Sequence, residues 1–120
     1  MALVLNVLAG SWFDRSRPRV NIQECLSALV AALGDSDSDV RGWAAQAIGE
    51  IGADAAEAVP ALVSLLRNGD EGSRNSACIA LRKIGPAAKG ALPALRDALS
   101  DPSSDVRRFA MFAIDSIQRQ

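Results

Sequence analysis

The chain has no histidine and no tyrosine, only two cysteines, and few aromatic side chains of any kind. Without histidine, His–Glu metal sets, Ser–His and Cys–His nucleophile pairs and the common zinc sites are unavailable, so the reading is of a protein that is not an enzyme and holds no metal or cofactor. Cys25 and Cys78 lie far apart in sequence, outside any C-x-x-C spacing, and are expected to be reduced, semi-buried thiols of a cytoplasmic protein. Charge of one sign is lacking as well. Thirteen basic and 14 acidic residues leave a net charge of −1, which offers no attraction to nucleic acid or to an anionic membrane. Long hydrophobic runs are missing too: the apolar stretch 2–9 is too short to span a bilayer and has no basic flank before it, so it reads as structural rather than targeting. Gly49 and Gly52 do not form a phosphate loop, because no strand precedes them.

What the chain does contain is hydrophobic residues at 49%, many of them alanine, over a length of 120 residues that allows one core. Alanine favours helix and close helix stacking over a thick aromatic core. Shifting the sequence by 33 residues aligns 26–52, 59–85 and 92–118 without a gap. Seven columns are identical in all three copies: Ala28/Ala61/Ala94, Leu29/Leu62/Leu95, Leu33/Leu66/Leu99, Arg41/Arg74/Arg107, Ala44/Ala77/Ala110, Ala47/Ala80/Ala113 and Ile51/Ile84/Ile117. Alanine abundance explains some of these columns, but not those of leucine, arginine and isoleucine.

Each copy predicts two helices. Leu26, Leu29, Val30 and Leu33 fall at i, i+3, i+4 and i+7 on one stripe of a first helix; Val40, Ala44, Ala47, Ile48 and Ile51 do the same for a second. Asp37, Asp70 and Ser103 share the column before the second helix, where a side-chain oxygen can accept from unpaired N–H groups. Gly52 and Gly85 follow its last apolar residue, where glycine can take the left-handed conformation that ends a helix. Pro60 and Pro93 mark the start of the first helix in copies two and three, where a missing N–H costs nothing.

The segments AVPALVSLLRNGDEGSRNSACIALRKIG and ALPALRDALSDPSSDVRRFAMFAIDSI resemble HEAT repeats of the short, PBS-lyase-like (bilin-lyase-like) type, through A-(V/L)-P-A-L, D-x-x-V-R and A-x-x-A-(L/I)-x-x-I-G. Copy two departs from that pattern with Gly72-Ser73-Arg74, which predicts a looser first turn for its second helix. The resemblance implies an all-α fold, a right-handed α-α superhelix of three helical hairpins at about 21–53, 54–86 and 87–120. Segment 1–20 is expected to form an N-terminal helical cap, because 2–9 resembles the first helix of copy two and a solenoid end needs a cover. In similar repeats the arginine of the Arg41/Arg74/Arg107 column bonds the neighbouring repeat, which makes inter-repeat glue the favoured role over an anion-binding track. The family serves mainly as protein-binding scaffold, with a minority acting as chromophore lyase subunits.

With Val40 taken as the core direction and 100° per residue, columns 42, 45, 46 and 49 are expected to point away from the first helix onto an open surface. The first copy is bare there: Gly42, Ala45, Gln46 and Gly49. The next two supply Asn75, Cys78, Ile79 and Arg82, then Arg108, Met111, Phe112 and Asp115, an arrangement of apolar anchors in a polar frame that fits a protein partner's helix or peptide. The same aromatics also fit tucking against neighbouring helices. Trp43 and Phe109 are expected to be packing residues. Two other readings stand beside the scaffold: a subunit of a bilin lyase-like or other enzyme complex, with Cys78 as reactive group, and a structural homodimer through the N-terminal helix or the C-terminal repeat.

Overall fold

A computed structural model describes residues 22–119, all in helices and the turns between them. The expected cap in segment 1–20 lies outside the described residues. Six α-helices follow one another: α1 Ile22–Ala32, α2 Ser38–Ile51, α3 Val59–Asn68, α4 Glu71–Ile84, α5 Leu92–Ala98 and α6 Ser104–Gln118. They form three hairpins. Two 3-10 segments, Gly52–Ala58 and Gly85–Ala91, join successive hairpins and bury Ala55, Ala58, Ala88 and Ala91 between them.

The helix boundaries follow from the residues placed there. Asp37 accepts from the Asp39 N–H, Asp70 from the Ser73 N–H and the Ser103 hydroxyl from the Val106 N–H, so every second helix of a hairpin begins with a side-chain cap. Pro60 and Pro93 stand in the first turn of α3 and α5. Gly52 and Gly85 close α2 and α4 at φ 77°, ψ −140° and φ 74°, ψ −145°. This lies beyond the ordinary left-handed helical basin, in a region that is essentially glycine's alone. A Cβ at either position would meet nothing within 4 Å, so the demand comes from the backbone and not from crowding.

The expected looseness of the first turn of α4 is corrected. Its helix starts in the same column as α2 and α6, and Ser73, which replaces the valine of the pattern, is 2% exposed. Its hydroxyl accepts from Arg41 Nε at 2.9 Å while its N–H is capped by Asp70 at 2.8 Å, so a polar side chain is accommodated there at no hydrogen-bonding loss.

The stack is held chiefly through its second helices: α2 on α4 and α4 on α6 form the most extensive helix contacts. Leu26, Leu29, Ile48, Leu62, Leu81, Leu95, Val106 and Ile117 are the large side chains of one continuous core. Arginines stitch the repeats together. Arg41 donates to Ser73 Oγ, to Asp70 Oδ2 at 3.3 Å and to the Asp35 carbonyl at 2.7 Å. Arg74 grips Asp101 with two bonds, at 2.8 and 3.0 Å, and donates to the Gly69 carbonyl. Arg107, with no repeat after it among the described residues, donates to the carbonyls of Asp101 and Pro102. Arg41 and Arg74 are thus inter-repeat glue, while Arg107 bonds within its own repeat.

Candidate protein-interaction face

Among the described residues α4 packs against its own first helix, α2 before it and α6 after it, whereas α2 and α6 each have one second-helix neighbour. A helical wheel centred on Val40 allows for one buried direction. A Cβ on Gly42 would stand 3.6 Å from the Ser76 hydroxyl, and one on Gly49 would stand 3.1 Å from Lys83 Cδ, so in α2 positions 42 and 49, with the buried Ala45 between them, face the following helix. Their small residues in α2 allow the close approach of α4. The open columns are instead Asp39/Gly72/Asp105, Trp43/Ser76/Phe109, Gln46/Ile79/Phe112 and Glu50/Lys83/Ser116.

This sorts the eight expected contact residues. Ile79 and Phe112 lie on the open ridge, Ile79 half-buried and Phe112 43% exposed. Arg82 is exposed beside them, with its guanidinium 5.5 Å from the centre of the Phe112 ring. Phe112 meets Phe109 edge-on at 6.3 Å between centroids, and Arg108 lies 5.5 Å from the Phe109 ring. Two cations therefore flank an aromatic pair, each contact contributing about 0.5–1 kcal/mol at such exposure. Asn75 is half-buried between α4 and α6, and its Oδ1 is enclosed without a hydrogen-bond partner. Met111 and Asp115 are exposed but belong to columns that face a following repeat, so they sit on the end of the stack and not on the ridge.

Cys78 is the clear correction. It is fully buried, and burial pushes its thiol up to about 12. The thiolate is the nucleophile, so Cys78 neither touches a partner nor serves as the reactive group of a lyase subunit. Trp43, expected to pack, is 53% exposed, whereas Phe109 in the same column does pack against the core. Trp43 and the Glu50–Lys83 pair, at 2.7 Å, are open-face features that the sequence argument missed. Periodicity alone could have found them: taken from Val40, positions 43, 46 and 50 share one arc of the helix, about 100° round from the small-residue column.

Two clefts lie elsewhere. One of about 510 Å³ opens between α1 and α3 and contains Arg41; another of about 360 Å³ contains Arg74, Asp101 and the Arg67–Asp97 pair. The arginines there are already committed to structural bonds, so neither cleft offers a free binding charge of that kind.

The family profile described as HEAT repeats matches residues 26–115. Among solved structures the chain is similar to an engineered protein, at 28% identity and TM-score 0.66 over 77% of this chain and 44% of that one. It is likewise similar to a designed armadillo repeat protein in complex with the peptide (KR)4, at 26% identity and TM-score 0.66 over 77% of this chain and 46% of the other. A second designed armadillo repeat protein aligns at 28% identity and TM-score 0.60 over the same shares. The chain spans less than half the length of these proteins. No curated protein matches it.

Proposed function

The chain belongs to the HEAT-repeat family, and we propose that it is a non-catalytic scaffold whose Gln46/Ile79/Phe112 ridge receives a helix or peptide of a protein partner. The observation that carries this reading is Phe112, a large hydrophobe standing 43% exposed on the second-helix face of the third repeat with a guanidinium laid on its ring. Exposed aromatics framed by cations are the pattern of an interaction anchor. Ile79 supplies the neighbouring apolar position. Arg82, which forms no ion pair among the described residues, supplies the charge that orients the ligand.

The designed relative that holds a peptide supports a peptide-class ligand for this fold. Its basic composition does not carry over. Arg82 and Arg108 ask for a partner segment with an acidic side chain beside an apolar one. A cytoplasmic setting, where thiols stay reduced, fits the two free cysteines. Changing Ile79 and Phe112 together to Ser tests the assignment: both lie away from the fully buried core, so helicity by circular dichroism should hold while partner capture is lost. Undiminished capture would rule out the ridge.

A further inference from the structure

The net charge of −1 conceals a separation of charge along the stack. From α1 to the end of the first 3-10 segment, residues 22–58, the chain holds seven acidic side chains and a single basic one, Arg41. From α3 to the end of the second 3-10 segment, residues 59–91, it holds five basic side chains and two acidic ones. All seven acidic residues of 22–58 are exposed. Like charges on one surface add to a field that steers a charged segment before contact.

The same polarity marks the open ridge. Glu50 pairs with Lys83 at 2.7 Å, and Arg108 with Asp105 at 3.1 Å. Asp39 on α2 and Arg82 on α4 are exposed and form no ion pair among the described residues. The aromatic rings differ in the same way. Phe112 and Phe109 each have a guanidinium 5.5 Å from the ring centre, whereas Trp43, one turn on from Asp39 and 53% exposed, has no cation on its ring among the described residues. An exposed indole one turn from a carboxylate suits an ammonium or guanidinium group brought by a ligand.

We propose that the ridge fixes the direction of its ligand: a segment of a protein partner lies extended across it, with a basic side chain at Asp39 and Trp43, an apolar one at Ile79 and an acidic one at Arg82. This direction rests on the ridge being the binding face and adds to it the basic end and the spacing. Helices α2 and α4 lie side by side in register, since Gly42 approaches Ser76 and Glu50 reaches Lys83. Arg82 occupies the Gly49 column, about 15 Å along the helix from Asp39 and one helix over, about 9 Å. The two charges are therefore about 18 Å apart, a span of about five to six extended residues. Gln46, exposed beside this path, offers an amide to the main-chain N–H and C=O groups that an extended segment leaves open.

A blocked synthetic peptide, KSSSLSE, sets lysine, leucine and glutamate on one face of an extended chain at these distances. Titrated into the whole chain at low salt and followed by NMR, it should bind about threefold tighter than KSSSLSK or ESSSLSE, and the preference should fade in about 0.5 M salt. A nitroxide at the lysine end should broaden amide signals of α2, and one at the glutamate end those of α4. Asp39→Asn and Arg82→Gln should each weaken the peptide about threefold with helicity unchanged. In the double reversal, Asp39→Lys with Arg82→Glu, the label at the lysine end should move to α4. Changing Ile79 and Phe112 together to Ser separates the two readings, because undiminished binding of the peptide would remove the ridge itself. Loss of binding in that variant, combined with equal affinity for the three peptides or a lysine end over α4 in the unaltered chain, would overturn the direction alone. No binding of any of the three at millimolar concentration would overturn it as well.

Discussion

Replacing Asp101 by Asn is expected to loosen the last repeat, and the size of the effect follows from one ion pair. Arg74 reaches across from α4 with Nε and Nη2 to the two carboxylate oxygens, at 2.8 and 3.0 Å. The two side chains are 20% and 10% exposed, so the screening that makes most surface pairs negligible acts only weakly. Hydrogen bonds to charged groups contribute about 1.5–3 kcal/mol; Asn keeps one acceptor and can still cap the Ser103 N–H, which leaves a loss of about 2 kcal/mol. Asp70, 54% exposed and a single 3.3 Å from Arg41, should lose less when changed to Asn. The hydrogen bonds from Arg74 hold the Asp101 carboxyl below its ordinary 3.8. Stability from the pair is therefore complete above that value and is lost as the pH falls through the depressed folded-state value. Urea unfolding followed by circular dichroism should separate wild type from Asp101→Asn at neutral pH, and the two should converge in strong acid. A variant within about 0.5 kcal/mol of wild type at neutral pH, or a gap that persists after protonation, would refute the reasoning.

Two further outcomes follow from the same structure. Gly85→Ala should destabilise by about 1–3 kcal/mol in thermal or urea unfolding, and Gly85→Asn should fare no better, because φ 74° with ψ −145° lies outside the basin that asparagine tolerates. A clear rescue by Asn would place this cap in the ordinary left-handed region instead. Cys78 should resist alkylation in the native protein while the partly exposed Cys25 reacts, as read by mass spectrometry of the labelled peptides. The buried thiol favours its neutral form, so its contribution to stability is intact below the unfolded value near 9.0 and declines as the pH rises towards 12.

The fold was legible because a repeat writes each rule three times. One Asp before a helix is weak evidence, but Asp37, Asp70 and Ser103 at a constant 33-residue spacing, each followed by the same apolar stripe, leave little room for another assignment. The caps, the prolines and the glycine stops all stand where that reasoning places them. The 3-10 segments were not legible. Gly52–Ala58 and Gly85–Ala91 are short, alanine-rich and without a period of their own, and their alanines become buried only once two hairpins stand side by side. Ser73 was misjudged for a related reason: as a local residue it weakens a first turn, but its hydroxyl is satisfied by Arg41 from the repeat before.

The interaction face was half legible, and the failure has one source. A helical wheel assigns a single buried direction, whereas the second helix of a stacked hairpin is buried on three sides and open on one. Column 45/78/111 looked like surface because it lies away from the first helix, yet it is the seam to the next repeat, which is why Cys78 is sealed and Met111 is not. The residues themselves held the clue. Gly42, Ala45 and Gly49 are the sizes that a close helix crossing demands, and a surface has no need of them. In α4 the same columns hold Asn75, Cys78 and Arg82, larger side chains that still face α6, so the all-small signature belongs to the α2–α4 seam alone. With the seam columns set aside, Gln46, Ile79 and Phe112 remain as the central column of the ridge, exposed at Gln46 and Phe112 and half-buried at Ile79.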